Sequence, residues 1–277
     1  MSRPGTPKFG EVDDFDAPVP ALKHSSNSAN SANSAAASAS VSASATTYTS
    51  EVVEEFKSFD KMDLPANLLR GVYGYGFEKP SEIQSKVIVP MKGRRDVLAQ
   101  APSGTGKTGG FLIGILSNMD ATLDEVQAGV LAPTRELADQ IYTVAKGLVA
   151  HMGIRVHLAV GGNHVDADLA KLRRGSKEIP HLLIATPGRF YDLLNRKAIS
   201  PRTFKALILD EADQLLDAKF KEQIYCILSD PFKWTEETQI GLFSATMIPA
   251  IAAVANTLLA RNPLKILRDP EEVSLEG

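Results

Sequence analysis

Two short stretches carry residues whose types and spacing suit phosphate chemistry. The first is ALILDEADQLL (206–216), where an apolar run that reads as a buried strand meets three carboxylates within four positions, Asp210, Glu211 and Asp213. Like charges this close stay ionised only with water, a cation or a basic partner beside them. The second is AQAPSGTGKTGG (99–110), in which Ser103, Gly104, Thr105, Gly106, Lys107 and Thr108 follow the phosphate-loop pattern, with Ala101 where the strict form has glycine. Glycines there let successive backbone N–H groups turn inward around a phosphate chain, and the following helix presents its N-terminus to the same anion. Lys107 would neutralise the outer phosphates and the Thr108 hydroxyl would ligate Mg²⁺. That ion is the partner the acidic strand tip needs. Asp210 would hold it directly or through water, Glu211 would orient or deprotonate an attacking water, and Asp213 would reach another loop. Taken alone, the acidic tip is equally a helix N-terminus favouring carboxylates; the phosphate loop tips the reading to nucleotide binding.

The elements that must position these residues are legible as alternation. Strand runs DVLAQA (96–101), GVLAPT (129–134), RVHLAV (155–160), HLLIAT (181–186), ALILDE (206–211) and IGLFSAT (240–246) are separated by segments with helical spacing, such as RELADQIYTVAKGLVAHM. This predicts an α/β fold, a parallel sheet with helices on both faces, and ligands beyond the carboxyl ends of the strands. Residues 1–50 differ: a Ser/Ala/Asn-rich tract with almost no large apolar side chain predicts a disordered tail. The single cysteine, Cys226, excludes an intrachain disulfide and a multi-cysteine metal site. A formal net charge of −3 excludes a broadly basic nucleic-acid binder but not a local basic groove. No apolar run reaches the roughly 18 residues of a membrane span, so no membrane partner is expected. Acidic residues among the first sixteen argue against a transit peptide, leaving cytosol or nucleus as the expected location. His151, His157, His164 and His181 show no ligand spacing, and Trp234 is expected in a loop without a function.

DEAD spelled in full together with SGTGKT resembles the DEAD-box ATP-dependent RNA helicases. Further segments match that family in order from about Phe59 to the C-terminus: GFEKPSEIQ (76–84) is similar to its Q motif, with Phe59 upstream, followed by PTRELA (133–138), Gly161–Gly162, TPGR (186–189) and SAT (244–246). SFDKM, LLRGVYGYGFEKPS and EEVSLEG are most similar to the translation-initiation members. The resemblance implies a RecA-like domain over 51–270 and the start of an interdomain linker at 271–277. It assigns ATP binding to Phe59, Phe77, Pro80 and Gln84 beside the phosphate loop, with Gln84 on the adenine edge and Phe59 stacked on the base. It assigns sequence-independent RNA contacts to Pro133, Thr134, Arg135, Gly161, Gly162, Thr186, Pro187, Gly188 and Arg189, and coupling to Ser244, Ala245 and Thr246 through Asp213. Translation-initiation proteins are the implied partners. Pro102, in place of the family's usual glutamine, and Gly109 and Gly110, in place of better helix formers, depart from the pattern. Family members carry a second, similar domain whose arginines complete the ATP site; no HRIGR-like segment occurs before Gly277, so very slow hydrolysis and no unwinding are expected of these 277 residues alone. The rival expectation is a non-catalytic module that binds RNA or competes for the helicase's partners. A small P-loop kinase or GTPase leaves APTREL and TPGR unexplained.

Overall fold

Runs of Leu, Ile, Val and Ala well short of the roughly 10–12 residues of an ordinary helix, and bounded by Gly, Pro and polar residues, become strands when both faces can be covered. In the computed structural model, which describes residues 53–267 apart from 163, 218, 229–233 and 260–262, seven such runs form one sheet. They are β1 (Val97–Gln100), β2 (Ala128–Leu131), β3 (Val156–Ala159), β4 (Leu182–Ala185), β5 (Ala206–Leu209), β6 (Gln239–Ser244) and β7 (Leu264–Ile266). All pairings are parallel, in the order β3-β4-β2-β5-β6-β1-β7. The expected RecA-like sheet is therefore present, with six strands where the sequence placed them. The seventh, a three-residue edge strand on β1, carries too short a pattern to stand out. The expected tail (1–50) and linker start (271–277) lie outside the described residues.

The helices are α1 (Ala66–Tyr75), α2 (Glu82–Lys92), α3 (Lys107–Leu116), α4 (Arg135–Leu148), α5 (Val165–Leu172), α6 (Pro187–Asn195), α7 (Ala212–Leu215), α8 (Lys221–Leu228) and α9 (Pro249–Leu258). Side-chain alternation along the strands divides the core into two layers. Ala206 and Ile208 of β5 face α1 to α4, together with Val87, Phe111 and Ile141. Leu207 and Leu209 face α5 to α9, together with Phe190, Leu215 and Ile251. Parallel pairing brings every strand's carboxyl end to one rim, where the polar turns emerge.

The glycines at 109 and 110 follow from packing. A Cβ at Gly110 would lie 2.8 Å from Val87 Cγ2, and one at Gly114 would lie 2.5 Å from Met91 Cβ. The face of α3 that meets α2 is therefore stripped to backbone, an approach that offsets the roughly 1 kcal/mol each glycine costs in a helix. Gly74, inside α1, meets nothing within 4 Å of an added Cβ. Gly114→Ala is expected to destabilise the domain by about 1–3 kcal/mol, and Gly74→Ala to stabilise it by about 0.5–1 kcal/mol. Urea midpoints of the two variants check both signs.

Candidate nucleotide and RNA site

The turn after β1 carries the phosphate loop. Gly104 and Gly106 take positive φ, +81° and +97°, a conformation that side-chain-bearing residues rarely adopt. The Thr105 hydroxyl donates to the Pro102 carbonyl at 2.8 Å, so the proline closes the turn from the acceptor side. Lys107 opens α3 and is buried, with its Nζ 3.0 Å from Glu211 Oε1. The Ser103 hydroxyl reaches the same carboxylate oxygen at 3.4 Å. Lysine loop and acidic strand tip thus share one rim, although they leave strands that are not neighbours: β6 lies between β1 and β5.

Glu211 sits in left-handed backbone geometry, φ +49° and ψ 55°. For a non-glycine residue this conformation costs on the order of 1–3 kcal/mol, and such strain clusters at functional sites. Asp210 is buried, and its Oδ1 accepts from the Glu211 N–H at 3.0 Å. Burial, and then the neighbouring Glu211 charge, push the Asp210 carboxyl up to about 7, against the pull of Lys107. Asp213 is partly buried, which pushes its carboxyl upward. Hydrogen bonds from Thr246 and the Gln214 N–H outweigh burial and hold it below the usual range. Its Oδ2 accepts from Thr246 Oγ1 at 2.8 Å and from the Thr246 N–H at 3.1 Å. Ser244 is buried at the end of β6 and donates to the Thr246 carbonyl at 2.7 Å, so Ser244-Ala245-Thr246 forms a closed turn leaning on Asp213.

The donor set suits Mg²⁺. No group of three or more His, Cys, Asp or Glu side chains could cage a metal among the described residues. One buried carboxylate at Asp210, raised chiefly by burial, and the Thr108 hydroxyl in the first turn of α3 match an ion whose other ligands are phosphates and water.

On the adenine side the structure revises two expectations. Phe59 is fully enclosed, with its ring edge-on to Tyr73 and tilted against Phe77, so it offers no free face for stacking on a base. Apolar flanks at Met62, Leu68 and Val72 draw it into the core. Phe77, partly buried beside α3, is the ring left near the loop, following the helix that Gly76 terminates. Gln84 is buried, and both ends of its amide are engaged here. Its Oε1 accepts from the Ser81 N–H at 2.9 Å, closing a capping box on α2 after Pro80, and its Nε2 donates to the Gly106 carbonyl at 3.1 Å. Gln84 therefore braces the phosphate loop directly.

The segments expected to grip RNA gather on the same rim, at β2, β3 and β4. Pro133 is buried, and Thr134 caps α4, its hydroxyl accepting from the Leu137 N–H at 3.1 Å. Arg135 is exposed, and its guanidinium lies over Gly161 and Gly162, so a Cβ on Gly162 would collide with Arg135 Nη1. Thr186 caps α6, Pro187 starts it, and Gly188 is exposed. Arg189 is the exception. Its guanidinium is buried in an ion pair with Asp168 of α5, which also takes His157 Nε2 at 2.7 Å. It is a tie between α5, α6 and β3, and its side chain is not presented to a phosphate. Sequence reasoning missed Asp168, His157 and the Gln84 brace. Among these, only the Ser81-x-x-Gln84 spacing carried a local signal.

With this geometry in view, the comparisons are decisive. The DEAD/DEAH box helicase family model matches residues 81–254. The chain belongs to the DEAD/DEAH box helicase family. Among solved structures it is similar to a point variant of S. cerevisiae Dbp5 bound to RNA and ADP BeF3 (32% identity, TM-score 0.68, 79% of this chain and 54% of that one). It is similar to S. cerevisiae Dbp5 bound to Gle1 and IP6 (32%, 0.67, 78% and 53%). A DEAD box protein from the hyperthermophile Methanococcus jannaschii also matches (30%, 0.69, 76% and 56%). The chain spans about half the length of these relatives.

Folding raises the Asp210 carboxyl from 3.8 to about 7, so the native state binds that proton more tightly than the unfolded chain. Its contribution to stability is therefore largest at low pH and is lost as pH climbs between those two values. Asp210→Asn removes the penalty, and thermal melts should show it more stable than the parent at about pH 8 with the difference vanishing near about pH 4.

Proposed function

We propose that this chain is the ATP-binding amino-terminal lobe of a DEAD-box RNA helicase of the translation-initiation branch, similar to eukaryotic initiation factor 4A. It would couple ATP binding and hydrolysis to holding and remodelling RNA. The observation that carries this reading is the Lys107–Glu211 contact at 3.0 Å beside the buried Asp210. A triphosphate arriving at Gly104–Thr108 competes with Glu211 for Lys107. The released Glu211 carboxylate then orients water and accepts its proton. Asp210 and the Thr108 hydroxyl would hold Mg²⁺, which would supply charge neutralisation for the phosphates. Asp213 stays with Thr246, so a shift in the acidic turn moves the Ser244–Thr246 turn with it. Arg135, Gly162, Thr186 and Gly188 offer donors to sugar and phosphate without reading bases, which suits a sequence-independent grip. The solved Dbp5 complex with RNA and ADP BeF3 supports that pairing of ligands by likeness.

A rival reading, a non-catalytic module competing for RNA or for translation-initiation proteins, leaves the Lys107–Glu211–Asp210 arrangement without a use. Assayed as they are, these 277 residues should bind ATP yet turn it over slowly. A second RecA-like lobe supplying an arginine would raise the rate by about 10³–10⁵-fold.

Lys107→Ala should abolish measurable ATP binding in calorimetry. It should also destabilise the ligand-free domain by about 3–5 kcal/mol, because it leaves Glu211 buried and unpaired. Equal ATP affinities in parent and variant would remove the nucleotide assignment, and brisk RNA-stimulated turnover by the 277-residue chain alone would remove the need for a second lobe.

Thr246→Val deletes the hydroxyl on Asp213 and leaves the Lys107 contact alone. ATP affinity should stay within about twofold while the effect of ATP on RNA affinity shrinks. Paired titrations, each ligand with and without the other, read that coupling.

A further inference from the structure

The rim opposite the phosphate loop, where the strands begin, holds a cleft of about 830 Å³. It lies beneath the starts of β2, β4 and β5, between the carboxyl ends of α5 and α6 and the segments that lead into those strands. Nothing in the nucleotide or RNA reading uses it.

Its walls are strongly basic on a chain whose net charge is −3. Arg173 and Arg174 follow α5, Arg196 and Lys197 follow α6, and Arg202 sits in the short turn Pro201–Thr203, against only Asp124 and Glu125. Asp124 is already taken by Arg155 at 2.7 Å, and Arg196 by Asp192 at 2.8 Å. Among the described residues this leaves Arg173, Arg174, Lys197 and Arg202 exposed and without a carboxylate partner. Basic residues at helix carboxyl ends complement the helix dipole, but that does not require the strain found here. Lys197 occupies left-handed geometry, φ +58°, and its N–H bonds the Leu194 carbonyl while that of Ala198 bonds Leu193. This is the helix-ending position where glycine is favoured, and a lysine there costs on the order of 1–2 kcal/mol.

The floor is apolar: Leu169, half-buried, with Leu172 and Ile199 beneath it. Among the described residues no aromatic side chain lines the cleft, so they offer no platform on which bases could stack, and Glu125 on its wall repels phosphate. Cations around an aliphatic floor complement carboxylates flanking an aliphatic side chain.

We infer that this cleft docks an acidic segment of a protein partner, with a leucine-like anchor on Leu169, Leu172 and Ile199 and its flanking carboxylates on Arg173, Arg174, Lys197 and Arg202. The site is independent of the nucleotide reading and stands if that reading fails.

The test uses the 277-residue chain and fluorescence anisotropy with three probes: a short peptide alternating glutamate and leucine, its glutamate–serine counterpart, and oligouridine. The glutamate–leucine peptide should bind, more weakly as salt rises, and about tenfold more tightly than the glutamate–serine peptide. Arg174→Glu with Arg202→Glu should weaken it by a further factor of about ten or more while the melting temperature and ATP affinity hold, both side chains being exposed. Should the double reversal fold poorly, Arg174→Ala alone should still weaken the peptide severalfold. Indifference of peptide binding to these changes overturns the inference. So does equal binding of the two peptides, which marks diffuse electrostatics. Loss of oligouridine rather than peptide binding assigns the cleft to RNA and overturns it too.

Discussion

One ammonium group among three carboxylates is the constraint on which the functional rim depends. Lys107 is buried against Glu211, and burial, then the neighbouring Glu211 charge, raises the Asp210 carboxyl behind them to about 7. The rim thus balances its charge with one cation and, around neutrality, part of a proton. Such a balance is stable enough to fold and poor enough to be replaced. On the proposed reading, a polyphosphate would compete for the ammonium and a divalent cation would take the place of the proton. Glu211, held in a left-handed conformation, is aimed at the lysine by strained backbone, so its position does not rely on the ion pair alone.

Strand order explains how this balance is felt elsewhere. Because β6 lies between β1 and β5, the Ser244–Thr246 turn emerges between the phosphate loop and the acidic tip. Asp213, three residues past Asp210, bonds to it twice. On the other side of β5 come β2 and β4, whose turns carry Arg135 and Gly188, with β3 and its glycine pair at the edge. The phosphate loop, the acidic tip and the Ser244–Thr246 turn are joined by hydrogen bonds, and Arg135 lies on the same rim. None of it requires a long-range change in the core, whose two layers pack both sheet faces and stay rigid.

How much of this was legible in the sequence depended on whether the determining physics was local. Strands of aliphatic residues between turn residues, the glycines of the phosphate loop and the carboxylates of the strand tip announce themselves, and they were placed correctly on one rim. The edge strand Leu264–Ile266 was not legible, because three residues have no period. Phe59 reads as an available aromatic beside a binding motif, and only the surrounding Met62, Leu68 and Val72 show that the core claims it. Arg189 was misread for the same kind of reason. Its partner, Asp168, lies 21 positions away on another helix, and nothing in TPGR foretells a buried carboxylate. Gly109 and Gly110 look like helix weaknesses until α2 is laid against them.

The two rims of the sheet carry departures of different kinds. At the carboxyl rim, the strained Glu211 and the raised Asp210 are unfavourable features of a kind that a bound cation or polyphosphate would relieve. In the cleft at the amino rim, Lys197 is strained, Arg173, Arg174 and Arg202 stand without carboxylates among the described residues, and all four side chains are exposed. Burial marks the difference. A buried imbalance is corrected by ions small enough to enter, whereas an exposed one around an aliphatic floor is corrected by a surface that brings both carboxylates and apolar side chains. The same reasoning that reads a nucleotide into one edge therefore reads a protein segment, and not a second nucleotide or nucleic acid, into the other.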